Sequence, residues 1–193
     1  MKAVPPSRIL VFSLIAAIGC GLDLWTKTVM FNWFGMPGKP PFWIVPDVFG
    51  FQTSLNQGAL FGIGQGYTPL FAALAVAAAV GVLAWLLFYG AAEDWLLTIA
   101  LGSIEAGILG NLYDRLGWPG LVWPAGYPEA GQSVYAVRDW VLVMIGDWPW
   151  PTFNIADSML VVGASLLMWH SLWCDRENGT DAASAEVASP DGT

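Results

Sequence analysis

Residues Pro69 to Gly90 read PLFAALAVAAAVGVLAWLLFYG. The run carries no charge, and it is long enough to cross a hydrocarbon layer that takes about 20 apolar residues per helix. It closes on Trp85 and Tyr89, whose rings suit the level of lipid headgroups. No Asp, Glu, Lys or Arg occurs between Asp47 and Glu93. Outward from this stretch, Trp95 to Tyr113 is a second apolar run, interrupted only by Glu105. Ser158 to Cys174 is a third, with Trp169, His170 and Trp173 near its end. A fourth spans Ile9 to Phe31 and carries Asp23 and Lys27 in its last third. Together they predict a protein of four transmembrane helices.

Composition agrees. Of 193 residues, 56% are hydrophobic and 11% charged, against roughly 25% charged in a soluble domain. The mean hydropathy is +0.57. Disordered, collagen-like and repeat architectures are excluded, and a soluble globule would lack the charges to cover its surface. Twelve Trp point to a membrane interface. The net charge of −8 has no basic stripe within it, which argues against a nucleic-acid partner. Residues 175–193 hold five acids and one base in an Ala/Ser-rich context, and read as a disordered acidic tail. Cys20 and Cys174 lie far apart in apolar stretches and read as buried thiols.

Lys2 and Arg8 ahead of an apolar run, followed by Ala17-Ile18-Gly19-Cys20, also suggest a cleavable leader. Cleavage there would remove one span from a polytopic chain, so a retained helix is the better reading. Lys2 and Arg8 favour a cytoplasmic N-terminus, which puts both termini on that side. Lys27, Lys39, Arg115 and Arg138 then fall outside, against Lys2, Arg8 and Arg176 inside, so loop charge gives no bias. Of the two outer loops, residues 32–68 contain the alternating run Phe49-Gly-Phe51-Gln-Thr53-Ser-Leu55, which predicts short strands. Residues 114–154 are rich in Pro, Gly and Trp and predict an irregular cap.

Ionisable residues near a bilayer are costly and commonly functional. Here they are Asp23, Lys27, Glu105, Asp114, Arg115, Asp139 and Asp157. Each also has a local reading. Asp23 and Lys27 are spaced for an intrahelical ion pair. Arg115 suits the negative end of the third helix. Asn154 and Asp157 fit an N-cap and its partner three residues on. Asp139 could simply pair with Arg138, and His170 reads as interfacial. One His and two distant Cys give no zinc site, and neither a nucleophile elbow nor a Gly-rich phosphate loop occurs. The remaining chemistry is that of carboxylates at the outer membrane face. Two close Asp residues can share one proton, so that one activates water while the other polarises a carbonyl. Asp139 and Asp157 could form such a pair if the loop between them folds back.

Four blocks resemble the bacterial lipoprotein signal peptidase (type II signal peptidase) family. They are Asp23-Leu-Trp-Thr-Lys27, Asn56-Gln-Gly-Ala-Leu-Phe-Gly62, Gly110-Asn-Leu-Tyr-Asp-Arg-Leu116 with Val137-Arg-Asp-Trp140, and Phe153-Asn-Ile-Ala-Asp-Ser158. Each block alone is weak, but all occur in order on a four-span scaffold between about residues 9 and 174. The resemblance implies an all-α membrane protein with a small extracytoplasmic β-cradle and an irregular periplasmic loop. It implies a peptidase domain over residues 1–174, whereas the acidic tail over 175–193, read from composition and placed in the cytoplasm, has no counterpart in the family. The implied enzyme is an aspartyl endopeptidase of the bacterial inner membrane, with its active site at the periplasmic face. It would remove the signal peptide from diacylglyceryl prolipoproteins by cutting just before the lipidated Cys. It would need no cofactor or metal, would have membrane lipids and the prolipoprotein as partners, and would act as a monomer. Carried over, the catalytic pair is Asp139 and Asp157. Asp23, Lys27, Asn56, Asn111, Arg115 and Asn154 would position that pair and the substrate. Three features depart from the family pattern: Trp140 in place of Phe, Glu105-Ala106 in a small-residue run, and extra length around residues 118–132.

Two other classes compete. A small transporter would also put carboxylates in a bundle, but no internal repeat is present and the acids gather at one face. A lipid-binding assembly subunit would leave Asp139 and Asp157 with only local roles.

Overall fold

The computed structural model describes residues 4–58, 64 and 66–187, with side chains described as far as Trp173. Helix α1 spans Pro6–Phe34, strand β1 Phe42–Val45 and strand β2 Phe49–Asn56. Helix α2 spans Thr68–Phe88, and a short 3-10 turn at Ala91–Glu93 leads into α3, Trp95–Arg115. Strands β3 (Val137–Ile145) and β4 (Trp148–Phe153) precede α4, Ile155–Val187. All four helices are long and apolar enough to cross a membrane, α4 through its part Ile155–Trp173.

Helix α3 is the centre of the bundle. Of its spanning window 67% is buried, against 22% for α1 and α2 and 11% for α4. It begins at Asp94, whose side chain accepts from Leu97 N at 2.9 Å and whose Oδ2 lies 3.5 Å from His170 of α4. Helix α1 turns one stripe inward, Phe12, Ala16, Gly19, Asp23, Lys27 and Phe31. That spacing of three and four keeps the two charges on the buried face with the apolar residues. Leu101 and Ile108 of α3 pack with Val82 and Leu86 of α2 and with Phe12. Close approach to α3 depends on glycines, two of them its own. A Cβ on Gly107 would meet Ala156 O at 2.5 Å, and one on Gly110 would meet Asp23 Oδ2 at 2.5 Å. The large residues left exposed, such as Leu10, Ile18, Val80 and Val161, form the apolar outer surface of the helices.

The strands form one antiparallel sheet in the order β1-β2-β3-β4. It joins the end where α1 and α3 finish and α2 and α4 begin. The strand expected from Phe49 is β2. The expectation of an irregular loop over 114–154 holds for the turn-rich stretch up to 136 and fails beyond it, where β3 and β4 form a hairpin. Val137 to Leu142 are all buried, so β3 has no alternation to betray it. Pro149 and Pro151 obscure β4, yet an edge strand tolerates proline because one side of its backbone is unpaired.

Further differences concern the thiols and the tail. Cys20 is a free thiol and half-buried rather than buried, because it sits beside the inward stripe of α1, not on it. The side chain of Cys174 lies outside the described ones. The expected unstructured tail starts at Asp175, whereas α4 continues to Val187, in a stretch where no proline interrupts before Pro190. Residues 188–193 lie outside the described residues, as do Lys2 and residues 59–62 of the second sequence block.

Candidate active site

The start of α4 assembles the site. Asn154 Oδ1 accepts from Asp157 N at 2.9 Å, and Asp157 Oδ2 accepts from Asn154 N at 3.2 Å. This is a reciprocal capping box, which satisfies two donors that a helix terminus would otherwise leave open. Capping has a second consequence. With its oxygen turned to the helix, Asn154 must point its amide nitrogen away, and Nδ2 donates to Asp139 Oδ1 at 2.6 Å and to Asn111 Oδ1 at 3.1 Å. Asn111 Nδ2 in turn donates to Asp157 Oδ1 at 2.8 Å. Two amides therefore bridge the two carboxylates, and both Asp157 oxygens act as acceptors. The bland readings of Asn154 and Asp157 as caps, and the functional reading of them as site residues, describe the same atoms.

A buried charge cluster fixes the bridge from below. Lys27 Nζ lies 2.7 Å from Asp23 Oδ2 and 3.1 Å from Asp114 Oδ2, and it donates to Asn111 Oδ1 at 2.9 Å. An ammonium only donates, so it forces the Asn111 oxygen towards itself and the Asn111 nitrogen towards Asp157. Asp23 Oδ1 accepts from Ala156 N at 2.9 Å, holding the first turn of α4 against α1. Asp23, Lys27 and Asp114 are each 0% exposed, and charged groups are costly to bury unless they are paired.

Asp139 is 2% exposed. Burial raises its carboxyl well above the ordinary Asp range, and the neighbouring Asp157 charge raises it further. Asp157 is half-buried. Arg115, the last residue of α3, donates from Nη2 to Gly58 O at 3.1 Å, while its Nε is buried without a partner among the described residues. Asn56 shapes that loop by accepting from Gly58 N at 2.9 Å. The expected site residues thus fall in one contiguous region, with Asn56 acting through the loop that Arg115 holds.

Asp114, which the sequence flags only as an ionisable candidate, and Arg138, which it does not flag, both take part. Arg138 does not pair with Asp139. Its Nε and Nη2 both lie 2.9 Å from Asp114 Oδ1, and its backbone N donates to Asp114 Oδ2 at 3.0 Å. The clue lay in the charge count. Lys27 and Arg138 add to the outer cations in sequence, yet both are neutralised inside the protein and say nothing about topology.

Glu105 lies apart from this network. It is 4% exposed on α3 between Leu101 and Ile108, and its Oε2 has no partner among the described residues. A buried carboxyl oxygen without a partner destabilises its surroundings. Glu105→Leu is expected to raise the melting temperature in detergent and leave hydrolytic turnover within about twofold of the wild type. A transport role for Glu105 would instead make it indispensable.

No group of three or more His, Cys, Asp or Glu arranged to hold a metal ion occurs among the described residues. The chemistry within reach is that of two carboxylates held by amides.

Residues 15–173 match the family model described as signal peptidase (SPase) II. The lipoprotein signal peptidase of Rhodopirellula baltica is 48% identical over 172 residues, covering 88% of this chain and 74% of that protein. The lipoprotein signal peptidase of Desulfitobacterium hafniense is 36% identical over 134 residues, covering 69% and 76% respectively. In fold, the chain is similar to a bacterial membrane enzyme solved by the in meso method, with a TM-score of 0.70 at 23% identity over 92% of this chain and 93% of that one.

Proposed function

This chain belongs to the signal peptidase II family of aspartic peptidases, which act on prolipoproteins, and on that premise we propose that Asp139 and Asp157 are its catalytic pair. The observation that carries the assignment is the amide bridge, in which Asn154 holds Asp139 and Asn111 holds Asp157 while the two amides hold each other. Asp139, whose carboxyl is raised by burial and by its neighbour, is the member that keeps the shared proton. Asp157, the less buried of the two, is the base.

Asp157 takes a proton from water as its oxygen attacks the carbonyl carbon of the residue before the lipidated Cys. Asp139 gives its proton to the carbonyl oxygen, forming a tetrahedral diol. As the C–N bond breaks, Asp157 delivers its proton to the departing Cys nitrogen, and Asp139 recovers a proton from the diol. The pair returns to its starting state with one peptide bond hydrolysed. Arg115 and the Asn56–Gly58 turn lie beside the pair and position the substrate backbone. Asp23, Lys27 and Asn111 act through the bridge.

The chain is a multi-pass bacterial membrane protein. Our reading places it in the inner membrane as a monomer, with the sheet and the Asp pair at the periplasmic face and both termini in the cytoplasm. The even number of spans supports termini on one side, and the position of the sheet supports a site at one end of the bundle. In this reading the sheet acts as a cradle for the substrate, and residues 1–174 carry the activity.

A pair that shares a proton titrates as a unit and gives a bell-shaped profile of kcat/KM against pH. The alkaline limb, loss of the Asp139 proton, is expected above the ordinary Asp range. The assay is cleavage of a synthetic diacylglyceryl prolipopeptide across pH. Activity that rises to a plateau at high pH, with no alkaline decline, would contradict the shared proton.

A further inference from the structure

Trp140 follows Asp139 on β3 and is 7% exposed, and its indole Nε1 finds no acceptor among the described residues. A buried, unpaired donor is costly, and an indole is normally placed where its N–H can reach a partner. The ring is held firmly, edge-on to Phe51 at 5.4 Å. Phe51 begins an aromatic run that leads outward. It stacks on Phe42 at 6.5 Å, and Phe42 meets Trp33 at the end of α1 at 5.4 Å. Exposure rises along the run to 47% at Phe42 and 56% at Trp33. The run therefore joins the apolar outer surface to a lone buried donor beside the catalytic strand position.

The lipid of a diacylglyceryl prolipoprotein matches both ends of this path. Its acyl chains are apolar, and each joins the glyceryl group through an ester carbonyl that lies several covalent bonds from the scissile carbonyl. A donor carried by the residue after Asp139 on β3 suits that separation. We propose that the Trp140 N–H donates to an ester carbonyl of the substrate's diacylglyceryl group, with Phe51, Phe42 and Trp33 receiving the attached chain. This rests on the assignment of Asp139 and makes Trp140 a specificity-determining residue.

The test compares two synthetic prolipopeptides, one with ester-linked acyl chains and one with ether-linked alkyl chains that lack the carbonyl. Wild type is expected to favour the ester by roughly fivefold to tenfold in kcat/KM, mostly through KM, the worth of one neutral hydrogen bond. Trp140→Phe keeps the aromatic contact and removes the donor. It is expected to lose that factor on the ester substrate, to match wild type on the ether substrate, and to melt no lower. Should Trp140→Phe fold poorly, benzothienylalanine at position 140 replaces the N–H by sulfur in the same shape. Equal kcat/KM for variant and wild type on the ester, or equal losses on both substrates, would overturn the proposal. Asp139→Asn is run alongside. Cleavage surviving there would sink the catalytic assignment, a result separate from an unaltered Trp140→Phe.

Discussion

Asp157→Asn is expected to lower kcat for prolipoprotein cleavage by about 1,000-fold or more, equivalent to roughly 4 kcal/mol of transition-state stabilisation. The substitution removes the base and leaves the fold intact. An Asn at this position can still accept from Asn154 N, so the helix start survives. The variant should insert in membranes, bind substrate with a KM near that of wild type, and fail in the chemical step. Asp139→Asn should lose activity to a similar degree, with an opposite signature in stability. The folded protein holds the Asp139 proton to a higher pH than the unfolded chain does. Stability from this group is therefore full below the ordinary Asp value and falls as pH rises towards the raised one. Asp139→Asn removes that penalty. Melting in detergent at neutral pH should show a variant at least as stable as wild type, and a clear loss there would contradict the account of Asp139.

Lys27→Met is expected to produce the largest loss of stability, about 3–5 kcal/mol, the cost of removing one partner from a buried ion cluster. Asp23 loses its ion pair with Lys27, and Asp114 keeps only Arg138. The Asn111 oxygen also loses the ammonium that orients it. Activity should therefore fall further than stability alone explains, because a rotated Asn111 would present its oxygen to Asp157. Adding Asp23→Asn to Lys27→Met rebalances the charge and should recover part of the stability without recovering turnover. Denaturant melts of the two single variants and the double variant measure the coupling. Strict additivity of the stability changes would show that the ion pair between Asp23 and Lys27 carries no weight.

Much of this architecture was legible from residue spacing. The four spans follow from apolar run length, and the structure moves their boundaries by only a few residues, except at the far end of α4, which continues to Val187. The Asp23–Lys27 pair and the capping box at Asn154 and Asp157 are local patterns, and both are present. What could not be read were contacts between distant segments. Arg138 sits beside Asp139 in sequence, yet its charge belongs to Asp114, because an extended strand separates neighbouring side chains while the end of α3 lies within reach. Gly110 looks like any helical glycine until Asp23 is placed against it. Strand β3 was hidden because both of its faces are covered, which erases the alternation that marked β2. The catalytic assignment came from resemblance, and the amide bridge now supplies a physical reason for it.

The claim that Asp139 and Asp157 act as one unit is tested most directly by kcat for cleavage of a diacylglyceryl prolipopeptide, measured for wild type, Asp139→Asn, Asp157→Asn and the double variant. Groups that share one proton are grossly non-additive. The account predicts that each single substitution falls to the same low floor and that the double variant falls no further. A single variant that keeps near-normal turnover, or a double variant whose loss is the product of the two single losses, would contradict it.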